Sequence, residues 1–438
     1  MTLASAPRDD AGLERALGVR ALAATAFNVT IGGGIFVLPA VVAASIGPSA
    51  PIAYVVCALA MGLIVLCFAQ AGSRVSLTGG PYAYVEIALG PLVGFLAGTL
   101  LWLVGSLATA AVASAFAGSV AVFWAPLGTP VARVLVLLAL FVLLGALNIR
   151  GTKQSARAIE VVTIAKLAPL ILFVIIGAAL ARGPAPDLSA GLSGATLGRS
   201  VIVLIFAFAG IESAMVPSGE VRDPARTVPR ALFIAMAAVT VLYVAIQYVA
   251  QAILGPALAA ETRAPLAAAA RAVAGAPGAT IMLLGASISM LGHVSGMTLA
   301  TPRALYAFGR DGILPAAFGR VHPLFHTPAL AIAVQCVIAF LLAATSGFAT
   351  LAIIANVGVL SLYLLCCIAA WELRRRNVHT GGTPFAIPGG AIVPWLAVAV
   401  IVWILSNATL KELGVVGGVL VAAALVFVVR RPAGMLTR

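Results

Sequence analysis

Three side chains with acid–base chemistry lie inside long apolar runs of this 438-residue chain, where ionisable groups are costly and therefore informative. Lys166 sits in the run VVTIAKLAPLILFVIIG, nine residues after Arg157. At 1.5 Å per residue that is roughly 14 Å along a helix, close to the middle of a bilayer. Snorkelling moves its ammonium towards the surface but not all the way. One reading is a structural lysine tying its helix to the carbonyls of a broken one. The other is a fixed or titrating cation standing where a coupling metal ion would bind, because burial disfavours the charged form. Glu212 has a similar pair of readings: a carboxylate bonded to free backbone amides, or a proton carrier or partner for a cationic ligand. His293, alone on an apolar run, reads first as a histidine hydrogen-bonded within a helix bundle and second as a proton-handling group.

Bond-making chemistry has no visible residues. The chain holds no HExxH, GxSxG, Walker loop or paired-carboxylate pattern, so hydrolytic and ATP-driven reactions are not expected. Cys57, Cys67, Cys336, Cys366 and Cys367 all lie in apolar runs and read as small buried hydrophobes, not as disulfides or metal ligands. No catalytic residue, cofactor or metal site is therefore expected.

Two runs are interrupted at related places. The first holds Thr30-Ile31-Gly32-Gly33-Gly34-Ile35-Phe36, the second Phe206-Ala207-Phe208-Ala209-Gly210-Ile211-Glu212. Each glycine in a helix costs about 1 kcal/mol relative to alanine. A single glycine fits close helix packing; three in succession fit an unwound hinge better, of the kind that places a binding site at mid-membrane.

The elements that carry these residues are membrane helices. The chain is 62% hydrophobic and only 9% charged, whereas a soluble domain carries about 25% charged residues. So few charges cannot cover a water-exposed surface. The net charge of +13 does not point to nucleic acid, because the basic residues sit in short gaps between apolar runs, where they set topology. A span needs roughly 20 apolar residues. Twelve candidates lie at 20–45, 50–72, 90–123, 132–149, 158–181, 198–217, 231–254, 279–308, 329–345, 349–372, 392–406 and 412–430. The third and eighth are long enough to tilt or to protrude. If the N-terminus is cytoplasmic, 19 lysines and arginines fall inside and 6 outside, so both termini are expected in the cytoplasm. The polar N-terminal stretch of mixed charge does not read as a cleavable signal peptide. The first broken span would run outward and the second inward, so spans 1–5 and 6–10 are candidates for an inverted pair. The expected organisation is a cytoplasmic segment (1–19), a first repeat (20–182), a second (183–373), and two further spans with a tail (374–438).

Four stretches, in order, carry a resemblance to the amino acid–polyamine–organocation superfamily over nearly the whole chain. They are Gly32-Gly33-Gly34-Ile35-Phe36; Thr78-Gly79-Gly80-Pro81-Tyr82-Ala83-Tyr84; FAFAGIESA at 206–214 followed by the stretch from Glu220 to Arg230; and the stretch from Arg303 to Pro315. Gly33 departs from the pattern, since many members have serine or alanine there, which leaves backbone alone to bind.

The resemblance implies an all-α membrane protein of twelve transmembrane helices, a five-plus-five inverted repeat with helices 1 and 6 broken. It also implies a secondary transporter of amino acids in the cytoplasmic membrane, working by alternating access. Its partners are the bilayer, a small-molecule amino acid and, for a symporter, protons; nucleic acid is not among them. The physical chemistry agrees. A half-helix starting near Gly33 presents unpaired N–H groups and a positive dipole end to a carboxylate. Carbonyls freed at Thr30, Phe206 and Ala209 would accept from an α-ammonium. Gly32 and Gly34 complete this backbone clamp. Side-chain selection falls to Ser106 and Thr109 on span 3, Phe206 and Phe208 on span 6, Met297 on span 8 and Asn356 on span 10. Lys166 resembles the span 5 lysine of sodium-independent members, with Ser295 as its expected neighbour, and Phe206 resembles the aromatic that closes over substrate. With Glu212 the only acid near the breaks, neutral amino acids are expected; a cationic amino acid or polyamine, countered by Glu212, is the alternative. A channel would need a continuous polar lining and a sensor a soluble domain, and neither is visible.

Overall fold

The computed structural model describes residues 18–75, 80–150, 156–181, 188, 193–215, 221–310, 312–379, 383–387 and 389–430. Thr78, Gly79, Glu220 and Asp311 of the motifs, and the basic residues at 8, 15, 153, 182, 431 and 438, lie outside these. All extended regular structure among the described residues is helical. The α-helices are α1 (Val19–Thr30), α2 (Gly34–Ile46), α3 (Ala50–Arg74), α4 (Pro81–Leu89), α5 (Pro91–Phe123), α6 (Pro130–Ile149), α7 (Ala156–Leu180) and α8 (Gly194–Phe208). They continue as α9 (Pro224–Leu254), α10 (Pro265–Ala300), α11 (Pro302–Arg310), α12 (Ala329–Thr345), α13 (Phe348–Arg375), α14 (Ile392–Leu405) and α15 (Leu410–Val429).

Among the described residues, seven continuous helical segments are long and apolar enough to cross a membrane, and four shorter apolar helices accompany them. One of the seven, Gly34–Arg74, joins two expected spans, because the chain turns from α2 into α3 through a single 3-10 turn at Gly47–Ser49. The expected third span and α5 agree to one residue at its start. The expected eighth span differs. Its helix α10 begins at Pro265, changes direction at Gly275, where φ is +64°, and ends before Pro302. Pro302 then starts α11, which the hydropathy of 279–308 had merged with it. Proline at a first-turn position begins a helix without wasting an N–H, and the positive φ at Gly275 is open to glycine at little cost.

Burial sorts the helices. α5 is the central one, packed against α13, α10 and α12. Its small residues let neighbours approach: a Cβ at Gly105 would stand 2.6 Å from Thr301 Oγ1, and one at Gly98 3.2 Å from Phe308. Glycine at such positions is how helices in lipid gain close contact without a hydrophobic drive between them. α9 packs on α1 and α3, and α7 on α10, where a Cβ at Gly285 would fall 2.6 Å from Pro169. α6 and α15 lie at the periphery. Val131, Leu135, Val142, Val421 and Leu425 are exposed on them, as lipid-facing side chains would be. All five cysteines are free and buried, as expected.

Candidate functional site at two helix breaks

The first break falls where the glycines predict it. α1 ends at Thr30 and α2 begins at Gly34. Residues 31–33 carry the chain between the two half-helices, so the leading amides of α2 have no carbonyl one turn earlier to bond. The second break follows Phe208. Ala209 is extended and Gly210 adopts φ +111°, after which Ile211–Met215 forms a 3-10 turn. The left-handed conformation explains why position 210 is glycine.

The two breaks touch. A Cβ on Gly210 would stand 3.3 Å from the Val29 carbonyl oxygen, and one on Gly34 would stand 3.0 Å from Phe206 and 3.6 Å from the Ala207 backbone. Phe206 thus lies over the start of α2, edge-on to Phe348 at 5.3 Å. Gly33 is enclosed from the other side, with Val112 Cγ1 at 2.9 Å and Met290 at 3.1 Å from its Cβ position. Gly32 faces His293, whose Nδ1 is 3.1 Å away by the same measure. Each of the three glycines therefore has a different wall, and each wall would have to shift to admit a side chain.

Buried polar groups hold the breaks in place. Lys166 on α7 is 7% exposed. Its Nζ donates to the carbonyls of Asn28 at 2.5 Å and Ile31 at 2.8 Å, so the ammonium caps the unpaired C-terminal end of α1. A cation there also meets the negative end of the helix dipole. Glu212 plays the opposite part at the second break. Its Oε2 accepts from the Gly210 amide at 2.9 Å and from the Tyr363 hydroxyl at 2.6 Å, tying the 3-10 turn to α13. Ser289 on α10 donates to the Gly32 carbonyl at 3.2 Å. Ser295, the expected neighbour of Lys166, lies six residues further along α10.

Tyr243 on α9 links the two breaks. Its hydroxyl is within bonding distance of the Thr30 carbonyl at 3.1 Å and the Ala207 carbonyl at 3.2 Å. Thr30 O also accepts from Gly32 N at 2.9 Å, so both of its lone pairs are engaged in this conformation. Gln247 and Gln251 continue the stripe at four-residue spacing, donating to Pro39 O at 3.4 Å and Gly47 O at 2.8 Å. One face of α9 thereby follows α1 and α2 along their length. The sequence reading overlooked this stripe, although Tyr243, Gln247 and Gln251 in an otherwise apolar helix at i, i+4, i+8 was a signal.

Other expected site residues have partners within the protein. Ser106 bonds Trp102 O at 2.8 Å and Gln335 at 3.1 Å, on the side facing α12. Thr109 bonds the Gly105 carbonyl of its own helix at 2.6 Å. Asn356 donates to Ile202 O at 2.6 Å and Val203 O at 3.2 Å, fastening α13 to α8. Phe208 is fully buried, edge-on to Tyr243 at 5.3 Å. Met297 accepts from Thr301 at 3.9 Å near the end of α10; the methionine against the break is Met290. Among the described residues no group of three His, Cys, Asp or Glu side chains is arranged to hold a metal.

Two interrupted helices meeting at buried, internally capped ends are an arrangement that secondary transporters use to build a site at mid-membrane. Residues 17–429 match the family model described as "Amino acid permease", and the chain belongs to that family, whose members are transporters and not enzymes. It is 29% identical over 417 residues to the methylthioribose transporter of Bacillus subtilis, covering 91% of this chain and 89% of that one. The branched-chain amino acid permease BcaP of the same organism is 27% identical, covering 92% and 90%. The serine/threonine exchanger SteT, again of Bacillus subtilis, is 26% identical, covering 92% and 93%.

Proposed function

We propose that this permease carries neutral amino acids across the cytoplasmic membrane without sodium, by alternating access around the two breaks. The observation that carries the reading is Lys166. Its ammonium already bonds the two carbonyls at the end of α1, so the space open to a coupling metal ion is filled by a side chain. A carboxylate substrate is suited to the amides that open α2. Thr30 O is engaged in the present conformation, so the substrate ammonium would turn to carbonyls of the second break.

We further infer twelve spans, with α1 and α2 as the first, α8 and the following turn as the sixth, and α14 and α15 as the last two. Helix contacts support an inverted repeat. Exchanging spans 1–5 with 6–10 turns the α5–α13 contact into α10–α7, and α1–α9 into α8–α3, and all four pairs are packed. The α3–α9, α5–α10 and α6–α12 pairs map onto themselves and are packed as well. The positive-inside count supports cytoplasmic termini.

The cationic alternative is disfavoured by Glu212. It is 6% exposed, and Oε2 is committed to Gly210 and Tyr363, so it is not available as a counter-charge without undoing the second break. Substrates in the relatives' names range from a thiosugar through branched-chain and hydroxyl amino acids to cationic amino acids, so the case for a neutral substrate rests on Glu212 and not on the names. The test is uptake of a mixture of radiolabelled amino acids into proteoliposomes in sodium and in choline buffers. Equal uptake is expected; loss of most uptake without sodium would sink the reading.

A further inference from the structure

We propose that a groove between α1, α7 and α9 binds an anionic phospholipid, with one acyl chain in the groove and the phosphate on Arg20 and Arg230. The inference goes beyond the transport reading and does not depend on it. The groove encloses about 500 Å³ between Phe27 of α1, Ile171 and Ile175 of α7, and Ala237, Ala238 and Val241 of α9. Its other wall residues are apolar too. The two isoleucines, the two alanines and Val241 are exposed, so the groove opens on the outer surface of the bundle. Short alanine side chains on α9 keep it deep. It closes towards one end, where a Cβ on Gly177 of α7 would stand 2.4 Å from Val249 Cγ1 on α9. An apolar space of this kind does not hold water, and at membrane depth the material available to fill it is lipid hydrocarbon.

Charge at the mouth selects the headgroup. The three helices run in the same direction. Tyr243, Gln247 and Gln251 meet Thr30, Pro39 and Gly47 in rising order, while α7 meets Ile31 at Lys166 and Val249 at Gly177. Arg20 and Arg230 therefore come at one end of the groove. Each precedes a wall residue, Phe27 or Ala237, by seven positions, which puts it on the same helix face about 10 Å away along the axis. Both arginines are exposed, and neither has a hydrogen bond or ion pair among the described residues. A phosphate supplies the acceptors they lack. Ala237 to Val241 lie about 10–17 Å beyond Arg230, within reach of a chain anchored there, since one leaflet's hydrocarbon is about 15 Å deep. Under the topology proposed above this end is cytoplasmic, the side on which anionic headgroups draw basic residues. A second copy of the chain fits the groove less well, because a two-fold contact through it would bring the same arginines of both copies to one end.

Binding is read by native mass spectrometry of the purified full-length chain, titrated with phosphatidylglycerol or with phosphatidylcholine of identical acyl chains. The first phosphatidylglycerol should bind at least about tenfold more tightly than the first phosphatidylcholine, since each basic residue near an anionic headgroup is worth roughly fivefold. With Arg20→Gln and Arg230→Gln together, that ratio should fall to near one while phosphatidylcholine affinity stays within about threefold. Ala238→Phe fills the groove and leaves both arginines in place, so both lipids should weaken by about tenfold. Glycerophosphoglycerol, the headgroup without its chains, should not compete. If the double variant does not fold, the two single arginine variants decide, each expected to lower the ratio by about fivefold. A ratio near one in the unmodified protein, a ratio that survives loss of both arginines, phosphatidylglycerol affinity unchanged by Ala238→Phe, or competition by glycerophosphoglycerol would each overturn the inference.

Discussion

Removing a single oxygen at Tyr243 should loosen the contact between the breaks, and the size of the effect follows from its bonds. Tyr243→Phe keeps the ring that packs edge-on to Phe208 at 5.3 Å. It deletes the hydroxyl that meets Thr30 O at 3.1 Å and Ala207 O at 3.2 Å. Thr30 O keeps its bond from Gly32 N. Ala207 O lies in the last turn of α8, where no intrahelical donor is expected, so it is left buried and unpaired. A lost bond of about 1 kcal/mol and a similar penalty for the orphaned carbonyl sum to roughly 2 kcal/mol. That shifts the equilibrium between touching and parted breaks by about thirtyfold. The readout is thiol labelling at Ala209→Cys, a half-buried position at the second break, against native cysteines that are all buried. Maleimide labelling of this cysteine should accelerate by about an order of magnitude or more when Tyr243→Phe is added. Rates within twofold of each other would refute the idea that this hydroxyl holds the breaks together.

Gly33→Val should abolish substrate binding, and the structure changes the reason: its branches would collide with Val112 and Met290 as well as restrict the backbone. Unchanged affinity in an equilibrium binding measurement would show that this break does not hold the substrate. Lys166→Ala should lose most uptake at every pH, because it orphans the Asn28 and Ile31 carbonyls, at about 1–3 kcal/mol each. Uptake with the unmodified rate and pH profile would make the lysine dispensable.

The breaks were legible because they are local. Gly32-Gly33-Gly34 and Gly210 conflict with helix propensity wherever they fall, and the structure interrupts both helices there. Lys166 and Glu212 stood out for the same reason, as charges that an apolar run cannot accommodate unaided. Their partners were not legible. The Ile31 carbonyl is 135 residues from Lys166 in sequence and the Tyr363 hydroxyl 151 from Glu212, distances over which spacing carries no information. Ser106 and Asn356 show the complementary difficulty. A polar side chain in lipid must bond something, and sequence does not say whether that partner is a substrate, Gln335 or a carbonyl of α8. Tyr243 was overlooked because a tyrosine in a span reads as an apolar body with a polar tip near the interface. It lies instead at the centre, fully buried.

Lys166 has an electrical consequence. A transporter that borrows a metal ion must release it on the far side, and charge crosses the membrane with it. If Lys166, bonded to Asn28 and Ile31, stands in for such an ion, the cation stays with the protein when the substrate leaves. An amino acid with a neutral side chain is a zwitterion of zero net charge. If Lys166 keeps its proton throughout, the full cycle displaces no net charge, and the membrane voltage, worth about 2.3 kcal/mol per charge per 100 mV, does no work on it. The hypothesis predicts no substrate-induced current on a solid-supported membrane, and a sustained current would contradict it. Accumulation would then be set only by what is exchanged from the other side, so the cell's stores of one amino acid would become the fuel for acquiring another.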